Sequence, residues 1–340
     1  MTSTAMPAPA ILGQHRAALE AALRSAVGDD VNPLAAAVRY AMGWEDESGT
    51  TTDAGGKRIR PALCLFAAGA FGGSVQEALP GAVAVELVHN FSLVHDEVQD
   101  RDAERHHRPT VWARMGEAQA INVGDFLYTR AVRALTVGPG DGSRRLYALH
   151  VLNDAISRMI QGQWQDIAFE ARTTVTVEEY LDMVTGKTGA LLAAPLEIGA
   201  ILAGAPDEAA AAVGRWGAHV GAAFQAQDDY LGIWGNPNRT GKSNTNDIVR
   251  RKKTLPIVHG SADPDVAAAI ARTHGQPVVS ERDVESVVAA LKNAGSDEYC
   301  RARARSQAAE ADTLLEEIPL TNTVREQFRA IAAYLVDRES

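Results

Sequence analysis

The chain has 340 residues, 46% hydrophobic and 22% charged, with a formal net charge of −10; that length can bury a sizeable core in one domain or two, and the composition is ordinary for a globular protein. The acidic balance argues against nucleic acid as the main partner, because a phosphate backbone calls for a basic footprint. Two cysteines, Cys64 and Cys300, stand far apart without CxxC or Cys/His grouping, which speaks against a disulfide framework or zinc site and fits a reducing cytoplasm.

In chain order, residues 1–10 read as a mobile tail, and the N-terminus lacks the basic segment and apolar stretch of a signal peptide. Helical spacing of apolar residues then recurs over HRAALEAALRSAV (15–27), Leu79 to Asp100, RLYALHVLNDAISRMIQGQ (145–163), EEYLDMVTGKTGALLAAPLEIGAIL (178–202) and REQFRAIAAYLVD (325–337). Breakers separate them: TTTDAGG (50–56), GPGDG (138–142), the long stretch 232–247 and ADPD (262–265). The short TVTV (174–177) is the one candidate strand. The expectation is an all-α protein, a single large helical bundle forming one domain, with no linker or short repeat. No membrane span is expected: the most apolar window, GALLAAPLEIGAILAGA, contains Pro195 and Glu197.

The charge-dense stretch LVHDEVQDRDAERHHRPTVW (93–112) follows an apolar helical run. A solvated charged face is one reading. However, Asp96 and Asp100 stand four apart, so on a helix they share a face and repel by a few tenths of a kcal/mol. A hard cation removes that objection, because magnesium is held by one or two carboxylates while keeping waters and phosphate oxygens. A second apolar run, GAHVGAAFQAQDDYLG (217–232), again ends in acids, Asp228 and Asp229, and again cations follow, among them Lys242, Arg250, Arg251, Lys252 and Lys253. Two such segments in one all-α chain suggest a magnesium and diphosphate site.

The ordered motifs GGKRIRP (55–61), HDEVQD (95–100), RHHRPTVW (105–112), GQWQDI (162–167), GKTGALL (186–192), FQAQDDYLG (224–232) and GKSNTNDIVRRKKTLP (241–256) resemble those of the trans-isoprenyl diphosphate synthases, the polyprenyl synthetases. The resemblance runs from about Gly55 to the C-terminal helices. It implies the isoprenoid synthase bundle with a central active-site cavity, usually as a homodimer in the cytoplasm. The implied reaction condenses isopentenyl diphosphate with an allylic diphosphate to give geranylgeranyl or farnesyl diphosphate.

By resemblance, Asp96, Asp100 and Asp228 are magnesium ligands, three ions with the bound diphosphate, and Asp229 supports them. Arg105, Lys187, Lys242 and Lys252 grip the allylic diphosphate, with Thr188 and Gln225 near the reacting carbons. Lys57, Arg60 and His89 hold isopentenyl diphosphate, helped by the residue at 106. That residue is His106, which lacks the guanidinium fork of the arginine the family has there and weakens the contact by about 1.5–3 kcal/mol. Glu97 replaces the middle acid of the first motif, and Gly232 the last aspartate of the second. The fourth and fifth residues before the first motif, Ser92 and Phe91, limit chain length in the family; at 1.5 Å per residue Phe91 lies about 7.5 Å from Asp96. A C15 to C20 product is expected, with C20 favoured. Two other readings remain: a terpene synthase that ionises an allylic diphosphate without isopentenyl diphosphate, motivated by His106, and a non-catalytic partner subunit. Trp112, Trp164 and Trp234 read as packing residues, and Asp166 and Asp247 as residues that orient lysines.

Overall fold

The computed structural model describes residues 8–105, 107–235, 246–276 and 278–336. The helices are α1 (Ala10–Gly13), α2 (Arg16–Val27), α3 (Pro33–Ala41), α4 (Ile59–Ala70), α5 (Val75–Gln99), α6 (Val111–Met115), α7 (Glu117–Val137), α8 (Gly142–Glu170), α9 (Val177–Val184), α10 (Ala190–Ala203) and α11 (Asp207–Trp234), then α12 (Asn246–Val249), α13 (Leu255–Gly260), α14 (Pro264–His274), α15 (Glu281–Asn293), α16 (Ser296–Glu317) and α17 (Asn322–Val336). The chain is all-α as expected. Among the described residues the only sheet is a two-residue hairpin, β1 (Glu104–Arg105) against β2 (Arg108–Pro109), with Arg105 opposite Arg108.

Helix starts follow local chemistry. Asn32 and Ser74 accept backbone hydrogen bonds from Ala35 and Glu77, capping α3 and α5. TVTV is a correction: Thr176 is the N-cap of α9 and forms a capping box with Glu179, so Val177 opens a helix. A hydroxyl facing orphan N–H groups outweighs the β-propensity of four residues.

The chain divides into two compact units. One comprises Ala10–Ile156 with Ala194–Gly214. Its core sets Leu63, Cys64 and Ala67 of α4 and Leu87 and Val88 of α5 at no more than 1% exposure. A Cβ on Gly81 would come within 2.6 Å of Ile198 and Leu202, so α5 and α10 pack at close range there. The other unit comprises Ser157–Ala193 with Arg215–Ser340. One of its clusters joins Phe169, Tyr180, Met183, Ala226, Leu255 and Cys300; another joins Ile233, Ile248, Ile257, Val284, Val287 and Leu291. The run Val177–Ala203 is apolar and long enough to cross a bilayer, but 72% of its most apolar window is buried in the protein, as in a core helix.

Candidate active site

In the first unit the acids of the first motif lie at the end of α5. Asp96 and Asp100 are half-buried, and the amide of Asp100 donates to the carbonyl of Asp96 at 2.8 Å, so they stand one helical turn apart. Glu97, between them, is buried and holds Arg105 Nε at 2.9 Å. Burial pushes its carboxyl up to about 7 against the pull of Arg105. His95 serves the helix face, with Nε2 3.3 Å from the Ile121 carbonyl and its ring edge-on to Phe91. Phe91 also touches Tyr128 of α7, with centroids 5.7 Å apart, while Ser92 is buried and donates to the His89 carbonyl at 2.8 Å.

The first basic motif sits at the start of α4. Lys57 is exposed, and Arg60 Nη1 lies 3.1 Å from His89 Nε2 on α5. Burial, with the charges of Arg60, Arg105 and Arg58, holds the His89 pKa well below its ordinary value, so the ring is a neutral acceptor for Arg60. Between them, Arg58 is buried, with φ 51°. It bonds Glu20 at 2.9 Å, Glu86 at 2.7 Å and the Met42 carbonyl at 3.0 Å. Burial works against the Arg58 charge, but Glu86 and Glu20 outweigh it and raise its pKa.

In the second unit Lys187 and Thr188 lie on a π-helical turn, Thr185–Gly189. Such turns recur at functional sites. Two helices reach this turn through glycines. A Cβ on Gly162 of α8 would collide with the Lys187 backbone, and one on Gly221 of α11 would lie 3.2 Å from Gly189 Cα. Four residues beyond each glycine, one turn along the same face, stands the polar partner. Asp166 accepts from Lys187 Nζ at 2.5 Å, and Gln225 accepts from the Thr188 hydroxyl at 3.2 Å.

The paired acids of the second motif divide by one step of the helix. Asp228 is exposed and Asp229 is buried. Asp229 accepts from the Tyr180 hydroxyl, from Gln225 Nε2 at 2.8 Å and from the Leu255 amide at 2.9 Å. Burial pushes it up to about 7 despite those donors. A Cβ on Gly232 would lie 2.9 Å from Asp247 Oδ2, so the carboxylate absent at position 232 has another close to its place. Lys252 is half-buried, and its amide donates to the Asp247 carbonyl at 2.9 Å. His106 and Lys242 lie outside the described residues.

Among the described residues no group of three or more His, Cys, Asp or Glu side chains is disposed to hold a metal. Magnesium needs one or two carboxylates and takes the rest of its shell from water and phosphate. Asp96, Asp100 and Asp228 are hard oxygen donors with solvent access and fit that requirement.

Arg58, Tyr180 and the two glycines are the residues that sequence reasoning passed over. Trp112 bonds the Asp102 carbonyl at 2.8 Å and Trp234 stacks on Tyr230. Trp164 is a correction: it is 78% exposed, in a stripe with Ile160 at 52% and Ile167 at 41%, and joins no buried core among the described residues.

A family model described as polyprenyl synthetase matches residues 45–291. The (2E,6E)-farnesyl diphosphate synthase of Mycobacterium tuberculosis is 40% identical, over 100% of this chain and 95% of its own. The geranylgeranyl diphosphate synthase of the same organism is 41% identical, over 84% and 82%. The crystal structure of a polyprenyl synthetase from Streptomyces coelicolor A3(2) superposes with a TM-score of 0.89 at 38% identity, covering 96% of this chain and 99% of that one. A Caulobacter crescentus polyprenyl synthase complexed with calcium and isoprenyl diphosphate gives 0.82 at 27% identity, covering 97% of both. With a family model over most of its length and full-length relatives at 40% identity, the chain belongs to the polyprenyl synthetase family.

Proposed function

We propose that the protein is a short-chain trans-prenyltransferase that condenses isopentenyl diphosphate with an allylic diphosphate, giving geranylgeranyl diphosphate, with farnesyl diphosphate as the shorter outcome. The observation that carries it is the retained pairing of Arg60 with His89 beside Lys57, in a chain whose relatives are farnesyl and geranylgeranyl diphosphate synthases. A chain released from isopentenyl diphosphate would have little reason to keep all three. The full-length match to single enzymes supports treating both units as one synthase domain.

Asp96, Asp100 and Asp228 would hold magnesium, three ions with the diphosphate. Magnesium, when bound, neutralises the charge growing on the departing diphosphate. Lys187, Lys242, Lys252 and Arg105 bind that leaving group, and it departs with the electron pair of the C–O bond. Asp166 aims Lys187, so its charge is in place before the bond breaks. Thr188 and Gln225, fixed to each other and to Asp229, flank the reacting carbons. Lys57, Arg60, His89 and His106 hold isopentenyl diphosphate while its double bond attacks the allylic carbon and a proton leaves. Phe91 and Ser92 set how far the tail extends, with Phe91 as a partial floor and Ser92 leaving room beside it.

The exposed stripe Ile160, Trp164 and Ile167 supports a homodimer, since exposed apolar clusters mark association surfaces. Two buried free thiols agree with a cytoplasmic location.

The test is product analysis with magnesium and farnesyl diphosphate, with and without isopentenyl diphosphate, before and after phosphatase treatment. A C20 alcohol released only by phosphatase, and only with isopentenyl diphosphate, is the expected result. A hydrocarbon formed without either would overturn this reading in favour of a terpene synthase.

A further inference from the structure

The arginine that the sequence places between two ligand candidates is itself turned away from solvent. Arg58 is 5% exposed, and its φ of 51° is a conformation that residues other than glycine rarely adopt. Such a residue persists only where its surroundings over-determine it. Here three elements do so. Glu20 of α2 bridges Arg58 Nε at 2.9 Å and Trp44 Nε1 at 3.0 Å. Glu86 of α5 takes Nη1 at 2.7 Å and is held in turn by Asn90 at 3.0 Å. The Met42 carbonyl takes Nη2 at 3.0 Å, at the foot of a loop closed by bonds between Gly43 and Ala54 and between Trp44 and Thr52.

Two residues after Arg58, Arg60 meets His89, three residues after Glu86 on α5. The same two segments are therefore clamped twice in succession, once by a buried ion pair and once at the ligand candidates. Gly55 belongs to the same device: a Cβ there would collide with the Arg58 guanidinium and come within 2.9 Å of the Met42 carbonyl.

We propose that Arg58 is a positioning residue for the isopentenyl diphosphate pocket: its buried clamp on Glu86, Glu20 and the Met42 carbonyl fixes the left-handed turn that presents Lys57 and Arg60, and Gly55 is glycine to leave room for that clamp. The inference rests on the function proposed above. It assigns Arg58 no contact with substrate; the residue acts through Lys57 and Arg60.

The test is steady-state kinetics of full-length Arg58→Lys and Gly55→Ala, with helical content followed by circular dichroism. Lysine keeps the charge but cannot serve three acceptors through a planar fork. The expected result is a KM for isopentenyl diphosphate raised about tenfold, the scale of losing one charged contact, with the KM for the allylic substrate and kcat within about twofold. Gly55→Ala should reproduce that split, and in the Arg58→Lys background it should add nothing, because both act through one clamp. Equal rises in both KM values, or additive effects of the two substitutions, would overturn the inference. Should Arg58→Lys fail to fold, Gly55→Ala alone carries the same split or its absence. Elongation by the wild-type enzyme with an unmoved KM in the variants sinks this inference alone; a wild-type enzyme that makes no product dependent on isopentenyl diphosphate sinks the functional reading and this inference with it.

Discussion

Lys187 Nζ donates to Asp166 at 2.5 Å, and the contact is possible because Gly162, one turn earlier on α8, lets that helix lie against the Lys187 backbone. An ammonium on a four-carbon stem is a mobile point charge. Tied to a carboxylate, it waits in one place. Lys187→Ala should lower kcat by about 10²–10³, the scale of losing one preorganised electrostatic donor. Asp166→Asn should cost about tenfold, as for a charge held less firmly, and the double variant should be no slower than Lys187→Ala. Independent losses in the double variant would show that Asp166 acts elsewhere.

The neighbours Asp228 and Asp229 should separate by readout. Asp228 is exposed, so Asp228→Asn should abolish magnesium-dependent turnover and leave the urea midpoint unchanged. Asp229 is the buried acceptor of three donors, so Asp229→Asn should cost about 1–3 kcal/mol of stability, the price of imperfectly paired buried groups. A stable Asp229→Asn protein would contradict its place at the centre of that network.

Phe91 is half-buried against His95 and Tyr128. Phe91→Ala should shift products beyond C20, and filling the neighbouring position with Ser92→Phe should shorten them. Mass spectrometry of the dephosphorylated products decides. An unchanged distribution in both variants would return Phe91 to plain core.

His89 predicts a pH dependence of stability. Its folded pKa is depressed by burial and by Arg60, Arg105 and Arg58, whereas in the unfolded chain the imidazole titrates near about 6.5. Below that pH the unfolded state binds the extra proton and the folded state does not, so stability declines as pH falls through about 6.5 and keeps declining until the folded pKa is reached. Above that window His89 adds no slope. Urea unfolding from pH 8 to 5.5 should show a shallower decline in His89→Gln than in the wild type.

Cys64 and Cys300 are both fully buried, and burial pushes both thiols up. The native protein should therefore resist Ellman's reagent, with two thiols released on unfolding. Rapid labelling of the folded protein would mean that one of these helices opens readily.

Helices with a one-sided apolar stripe and a breaker at each end were legible in the sequence. The stretch 15–27 corresponds to Arg16–Val27, Leu79 to Asp100 to Val75–Gln99, and 325–337 to Asn322–Val336. The run 178–202 is one apolar pattern but three elements, α9, the π turn and α10. A change from i+4 to i+5 bonding leaves no mark on hydrophobic spacing. The β1–β2 hairpin was missed because two residues are too few to show alternation. Arg58 was illegible for another reason. Its burial depends on Glu20 and Glu86, 38 and 28 residues away, and nothing in the local spacing of the basic motif marks those partners. The residues of the candidate site came from ordered motifs, whereas the glycines that bring α8 and α11 to the π turn needed the backbone.

Gly162 and Gly221 bear on how the enzyme can be remodelled. With helices meeting the π turn at backbone distance on two sides, this end of the protein has no slack for library mutagenesis, and even a methyl group at Gly162 displaces Lys187. On the proposed assignment of tail length to Phe91 and Ser92 of α5, directed evolution toward new tail lengths starts at those two side chains and leaves the π turn as it is.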